Sequence, residues 1–446
     1  MDAQLATVAT EIARRIQQAG FAAYWVGGCV RDFLLGREPR DYDVATNATP
    51  ELIERLFLKT IPVGRQFGVV LVLEQGFEFQ VATFRSESGY TDGRHPGQVT
   101  FGDPAADASR RDFTVNGLYY DPGQKVLHDW VGGEADLKSR VLRAIGNPAE
   151  RFAEDHLRLL RAVRLAAQLG FEIEPATLAA VKQNPERVMR VSAERIRDEL
   201  LKLFCPPHAA RGLDLLRETG LLAHVLPEIA ATIECAQSPQ YHPEGSVYNH
   251  IRLMLSNLPA ECPAMLPWAV LLHDVAKPVT ATRDEVTGQH HFYTHEKVGA
   301  EMTETILRRL RFSNQEIADV KICVYHHMQF KDAREMRKSS LRRMLMRPTF
   351  PLELELHKLD CLGSHQGLEL YDFLKTQQAE LAQQPEVLPP LLTGHDLQSL
   401  GLKPGPAMGR VMAELREKQL QDELKTAEEA RAWVLAQKTT AASLSP

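Results

Sequence analysis

The chain is 446 residues long, too long for one hydrophobic core, so roughly two to four domains are expected. With 44% apolar and 25% charged residues it has an ordinary globular composition, and no run of about 18 apolar residues suggests a membrane span. A net charge of −6 argues against a generally basic nucleic-acid binder but leaves room for a local basic face, and six cysteines without a C-x-x-C pair read as reduced thiols of a cytoplasmic protein.

The first 21 residues, MDAQLATVATEIARRIQQAGF, read as an amphipathic helix without the apolar core of a signal peptide. Residues 21 to about 120 alternate short apolar runs with turns. AAYWVGG, DYDVAT, GVVLVLE, FEFQVATF and TVNGLYY read as strands, and CVRDFLLG and PELIERLFLK as helices, giving an α+β head with a small mixed sheet. RDYDVATNAT puts Asp41 and Asp43 two apart in a strand-like stretch, hence on one face. Two such carboxylates repel each other unless a cation lies between them. Upstream, Gly27 and Gly28 would let the backbone approach a phosphate, and the helix after them would offer free N–H groups to a triphosphate. Mg²⁺ takes oxygen ligands and keeps substrate phosphates as partners. One or two such ions on Asp41 and Asp43 would activate an attacking oxygen and stabilise a leaving pyrophosphate.

YWVGGCVRDFLLGREPRDYDVATNATPE resembles the first motif of class II tRNA nucleotidyltransferases and bacterial poly(A) polymerases, members of the polymerase β-like superfamily. The resemblance continues through DGRHP (92–96), RRDFTVNGLYYD (110–121), residues 129–171 and VSAERIRDELLKLF (191–204), about half the chain. It implies that Asp41 and Asp43 bind the catalytic metals, that Gly27, Gly28, Arg31 and Asp32 shape the triphosphate site, and that Arg111 and Asp112 contact phosphate and ribose. Gly132, Gly133 and Asp136 would form a flexible junction between head and neck. One departure stands out. The family carries a third carboxylate just before V-x-T-x-R, where this chain has Gln80, with Glu78 two residues away.

From about residue 147 the apolar period turns helical, with ERFAEDHLRLLRAVRLAAQLGF, SAERIRDELLKLF and HAARGLDLLRETGLLAHV as helices. In the first of these Asp155 and Arg158 are three apart, so on one helix they would share a face. That spacing suits an intrahelical ion pair. The family resemblance implies instead a protein template. Arg158 would donate to the ring nitrogen of A or C, and Asp155 would accept from the exocyclic amino group, an edge that U and G reverse. The surrounding EDxLRxLRA context favours the template.

Eleven of the 16 histidines fall between residues 224 and 365. His250, adjacent His273-Asp274, His295, His326-His327 and Asp360 together resemble an HD-type phosphohydrolase. The ligand set it implies is His250, His273, Asp274, His295, His327 and Asp360, with His326 as the alternative to His327. Imidazoles with carboxylates suit a transition metal such as Mn²⁺, Ni²⁺ or Co²⁺ better than Mg²⁺ alone. His290 and His291, after Gly288, read as a solvated turn. KDAREMRKSSLRRMLMRP carries seven basic and two acidic residues, either a solvated helix face or a phosphate-contacting patch.

The expected organisation is a catalytic head (1–146), a helical neck and body that reads the base and binds RNA (147–235), an HD-type domain (236–380), and a linker, QQPEVLPPLL, with a helical tail (381–446). The expected activity is template-independent addition of C or A to a tRNA 3′ end, yielding CCA or part of it, from ATP and CTP. Poly(A) polymerase is the alternative within the class, through the partial signature VGRQF (63–67). A phosphohydrolase whose head only binds RNA is the alternative outside it, with Gln80 in its favour; a purely non-catalytic RNA-binding protein is a third reading. The expected location is the cytoplasm, and the sequence carries no signal for oligomeric state.

Overall fold

The computed structural model describes residues 2–63, 67–90, 93, 97–238, 242–286, 290–364, 367–383 and 389–442. It divides into two compact units, Met1–Ala230 and Ala231–Pro446. Much of DGRHP, VGRQF and the linker QQPEVLPPLL, together with Gly288, lies outside the described residues.

The first unit opens with the helix Asp2–Gln18, which buries Val8, Ile12 and Ile16 along one stripe. Strands β1 (Ala23–Val26), β2 (Asp43–Thr46), β3 (Thr60–Ile61), β4 (Val69–Glu74) and β5 (Phe77–Thr83) follow. β6 (Arg85–Ser88) and β7 (Gln98–Phe101) form a separate ribbon, and β8 (Leu118–Asp121) and β9 (Val126–Asp129) return to the main sheet. The seven-stranded sheet has the order β3-β4-β5-β2-β1-β8-β9; β2 and β5 run parallel and the other neighbours antiparallel. β5 shows why: Phe79, Val81 and Thr83 are buried while Glu78 and Gln80 face out. Val26, Ala45, Phe84, Ala108 and Tyr119 form a core cluster. This is the expected α+β head with a mixed sheet, and helices dominate the rest of the chain. TVNGLYY is only half strand: Thr114–Asn116 make a single 3₁₀ turn ahead of β8.

The long neck helix expected over 150–171 is two helices, Pro148–Glu154 and Arg158–Leu169. Asp155 separates them in an extended conformation (φ −139°, ψ 107°), and its Oδ1 accepts the Leu157 backbone N–H at 3.0 Å. An aspartate that bonds the backbone two residues on competes with the helix, and here the turn wins. The second unit stacks helices Val247–Ser256, Leu266–Leu272, His295–Arg309, Asn314–His326 and Phe350–Gly363, followed by a separately packed tail around Leu397, Leu415 and Val434. His290 and His291 are half-buried in a two-stranded ribbon with Thr282–Arg283, because they pair in register; they are not a solvated turn. No helix among the described residues is long and apolar enough to cross a membrane.

Candidate active site and metal centre

Register places the first site. Asp43 opens β2 opposite Val26, the residue before Gly27-Gly28. Gly27 has φ +78°, and a Cβ there would stand 3.1 Å from an Arg111 guanidinium nitrogen, so both the turn and the approach of Arg111 require glycine. Asp41 lies outside the strand rather than inside it. Buried Tyr42 between exposed Asp41 and half-buried Asp43 keeps the two-residue alternation, so the carboxylates stay on one side. Burial and the Asp41 charge push Asp43 up to about 6, against the pull of Arg111. Burial and a like charge together leave a carboxylate that gains from a divalent cation, so this pair fits Mg²⁺. The β2–β5 register runs Val44 to Val81, and carried back one residue it sets Gln80 beside Asp43. Glu78 lies two residues further along the same exposed face.

A cavity of about 290 Å³ opens here, walled by Gly27, Gly28, Asp43, Arg110, Arg111, Asp112, Asn116, Asp155, Arg158 and Arg161. Four guanidinium groups against three carboxylates suit a triphosphate. Arg111 is braced by Tyr119 (3.0 Å) and by buried Asp107 (3.2 Å). Burial pushes the Asp112 carboxyl up, but Arg161 and Asn116 outweigh it and hold it below the usual carboxylate range. Arg161 Nε donates to Asp112 at 2.8 Å and Asn116 Nδ2 at 3.1 Å, so Asp112 aims Arg161 into the cavity. Arg31 and Asp32 do not wall the cavity: they form a two-point pair at 2.9 and 3.0 Å, and Arg31 also donates to Asn116 at 2.6 Å. Asp136 is buried, accepting from Thr114 at 2.7 Å and from Arg143, while Gly133 packs so closely on Thr114 that a Cβ would stand 2.2 Å from its carbonyl oxygen.

Asp155 and Arg158 both reach the cavity but not as helix neighbours bonded to each other, because the chain is extended at 155. Asp155 pairs with Arg195 at 2.9 Å, and Arg158 with Glu154 at 2.7 Å. Arg158 also donates to the carbonyls of Arg151 and Arg110. Among the described residues these bonds leave its Nε–H and one Nη2–H for a ligand.

The second unit gathers the whole expected histidine set. His273 and Asp274 end the helix Leu266–Leu272, His295 begins one helix, His327 follows the end of another, and His250 and Asp360 lie within two more. Asp274 meets His273 Nε2 at 3.1 Å, His295 Nε2 at 3.4 Å and His327 Nε2 at 3.7 Å. His250 Nε2 meets Asp360 at 3.1 Å. His273, His295 and His327 each place Nδ1 on the carbonyl three residues back, at 2.8, 2.7 and 2.7 Å. That fixes Nδ1–H and turns the Nε2 lone pairs inward. His295 and His327 then bring Nε2 to Nε2 at 3.1 Å, which needs a proton or a metal cation between them. Burial pushes His327 down to about 3, while at His295 the Asp274 contact outweighs burial and raises it. Nitrogen and carboxylate donors at these distances fit a transition metal. Among the described residues His327, not its neighbour His326, lies with Asp274 and His295. The basic stretch 331–348 is largely committed within the unit: Lys338 and Arg342 pair with Asp422, Arg343 with Glu417 and Arg347 with Glu353.

Residues 23–143 match the Poly A polymerase head domain, 170–233 the "Probable RNA and SrmB- binding site of polymerase A", and 291–434 the tRNA nucleotidyltransferase domain 2. The CCA-adding enzyme of Levilactobacillus brevis is 47% identical over 215 residues, which is 48% of this chain but 54% of that relative. The CCA-adding enzyme of Lactobacillus delbrueckii subsp. bulgaricus is 34% identical over 343 residues, 74% of this chain and 86% of that protein. The chain belongs to the CCA-adding enzyme family. A structure of the Bacillus stearothermophilus CCA-adding enzyme in complex with CTP covers 98% of both chains with a TM-score of 0.75 and 27% identity.

Within that family fold, sequence reading missed Arg110, Asn116, Arg161 and Arg195 as site residues. Arg110 and Asn116 stand in the motif RRDFTVNGLYYD, and Arg161 in EDHLRLLRA, so proximity to motif residues was their available signal. Arg195 has none, because it meets Asp155 across 40 residues of chain.

Proposed function

We propose that this CCA-adding enzyme family member is a template-independent nucleotidyltransferase that adds C and A to the tRNA 3′ end from CTP and ATP, releasing pyrophosphate. The observation that carries this reading is the single cavity that brings Gly27, Gly28 and Asp43 against Arg111, Asp112, Asp155 and Arg158. The arginines offset the triphosphate charge, with Arg111 and Arg161 aimed by Asp107 and Asp112. Asp155 accepts from the exocyclic amino group of A or C, and Arg158 donates to the ring nitrogen. U and G present the reversed edge, setting an acceptor against Asp155 and a donor against Arg158. Mg²⁺ held by Asp41 and Asp43 would supply activation of the attacking 3′-hydroxyl and charge relief for pyrophosphate. A tRNA substrate supports the expected cytoplasmic location. The test is incorporation of each NTP alone into tRNAs ending before CCA, after C and after CC. Addition that stops at CCA supports the reading; an unbounded A tail would favour poly(A) polymerase.

The buried histidine cluster favours a second activity, hydrolysis of phosphomonoesters or 2′,3′-cyclic phosphates with Mn²⁺, Ni²⁺ or Co²⁺ bound by His250, His273, Asp274, His295, His327 and Asp360. Its test is hydrolysis of a cyclic nucleotide across that metal series.

A further inference from the structure

We propose that Glu244, in the loop ahead of the helix Val247–Ser256, is a positioning residue that holds the His250 imidazole with Nε2 toward Asp360 and the metal cluster. This rests on the metal reading of that cluster given above. The other three histidines sit at helix ends and give Nδ1–H to the carbonyl three residues back. His250 lies inside its helix, where the backbone carbonyls are committed to the i→i+4 ladder. Its Nδ1 needs an acceptor from elsewhere, and its ring is fully buried, beyond the reach of water.

Glu244 Oε1 lies 2.8 Å from that Nδ1. The contact is short but off the line of the N–H, and among the described residues neither His250 Nδ1 nor Glu244 Oε2 has another hydrogen-bond partner, which leaves this carboxylate as the acceptor beside the ring. The loop is built to hold Glu244 there. Asn249 Nδ2 donates to the Glu244 carbonyl at 3.0 Å, Gln237 N–H donates to the Gly245 carbonyl at 3.0 Å, and Ala236 bridges Ser246. Gly245 takes φ +96°, which turns the chain between Glu244 and the helix cap Ser246. Gly363 also approaches the ring so closely that a Cβ would stand 3.2 Å from His250 Cε1 and 3.3 Å from its Nδ1. The imidazole is thus closely packed by a glycine and contacted by a carboxylate. A carboxylate on the outer nitrogen of a ligating histidine fixes its tautomer and orientation and raises its basicity, and its loss typically costs 10–100-fold in metal affinity. His242 places its Nδ1 2.8 Å from the same Glu244 oxygen, so a second role as a direct ligand has to be separated from positioning.

The experiment uses the full chain, stripped of metal and titrated with Mn²⁺ and with Co²⁺ in excess Mg²⁺. Affinity, stoichiometry at saturation and the visible spectrum of the Co²⁺ form are read for wild type, Glu244→Ala and Glu244→Gln. Positioning predicts unchanged stoichiometry, an affinity about 10–100-fold weaker and an altered Co²⁺ spectrum in Glu244→Ala. It predicts a smaller loss in Glu244→Gln, whose amide oxygen still accepts the N–H. Should the alanine variant not fold, glutamine decides, through weaker affinity at full stoichiometry. Affinity within twofold of wild type in the folded variants overturns the proposal. Loss of a whole equivalent at saturation also overturns it, because Glu244 is then a ligand. A wild type that binds neither metal defeats the metal reading itself, and the proposal with it.

Discussion

In the head, Asp41 is exposed and Asp43 half-buried at the mouth of an arginine-lined cavity. In the second unit, His250, His273 and Asp274 are at most 2% exposed. The first site joins one strand and its glycine turn to side chains from residues 110–116 and 155–161, and the cations proposed there would bind together with a substrate's phosphates. The second is assembled from the ends and interiors of five helices across 110 residues, and its donors face one another at close range. Asp360 is the wettest of the six candidate ligands, its side chain 29% exposed. A transient metal tolerates loosely held ligands near solvent; a resident one calls for a dry and oriented shell.

The sharpest way to break this comparison is to remove one ligand from each site. Asp41→Ala or Asp43→Ala should abolish nucleotide addition, leaving metal bound by the histidine cluster and cyclic-nucleotide hydrolysis intact. Asp274→Ala should do the reverse, since it meets three imidazoles. Parallel assays of both activities and of bound metal decide; wild-type incorporation by either head variant would remove the carboxylate pair from the mechanism.

Next in size is nucleotide choice. Asp155→Ala and Arg158→Ala should each cost on the order of 1–3 kcal/mol of discrimination, read as UTP and GTP incorporation relative to CTP and ATP. Arg195→Ala should move the ratio in the same direction but less, because it steadies Asp155 without reaching the cavity wall. A ratio unchanged in all three would reduce these residues to structural ion pairs.

Smaller again is a pH-dependent stability effect. The folded-state value of Asp43 is raised to about 6, so ionising it costs stability as pH climbs from its ordinary value of 3.8 through 6, and the full cost stands above 6. Asp43→Asn should therefore melt higher than metal-free wild type at pH 8, by about 2–4 °C for each kcal/mol. The difference should shrink at pH 5 and shrink in wild type when Mg²⁺ is added. Equal melting at both pH values would mean that Asp43 is not the strained group. Smallest is Gln80→Glu, beside Asp43 in the register, which should keep or modestly raise the rate of addition. A collapse in rate would assign the amide a role of its own.

Short-range signals were enough for much of the molecule. The alternating strands, the glycine turn before Asp41 and Asp43, the adjacent His273-Asp274 and the helical period of the remainder were all readable, because each depends on neighbours within a few residues. The sequence also carried the residue types for both sites. Tertiary structure decided how they are used. A helical apolar period runs straight through Asp155, yet the side chain's bond to Leu157 N–H breaks the helix and hands Asp155 to Arg195. Asp112, expected to contact substrate, walls the cavity and also holds Arg161 from 49 residues away. His327 rather than His326 joins the cluster, since adjacent residues at a helix end point in different directions. Basic residues that would suit a phosphate are bonded to Glu417 and Asp422 of the tail instead. Which charge meets which across a fold depends on the packing of distant elements, and local periodicity holds no record of it.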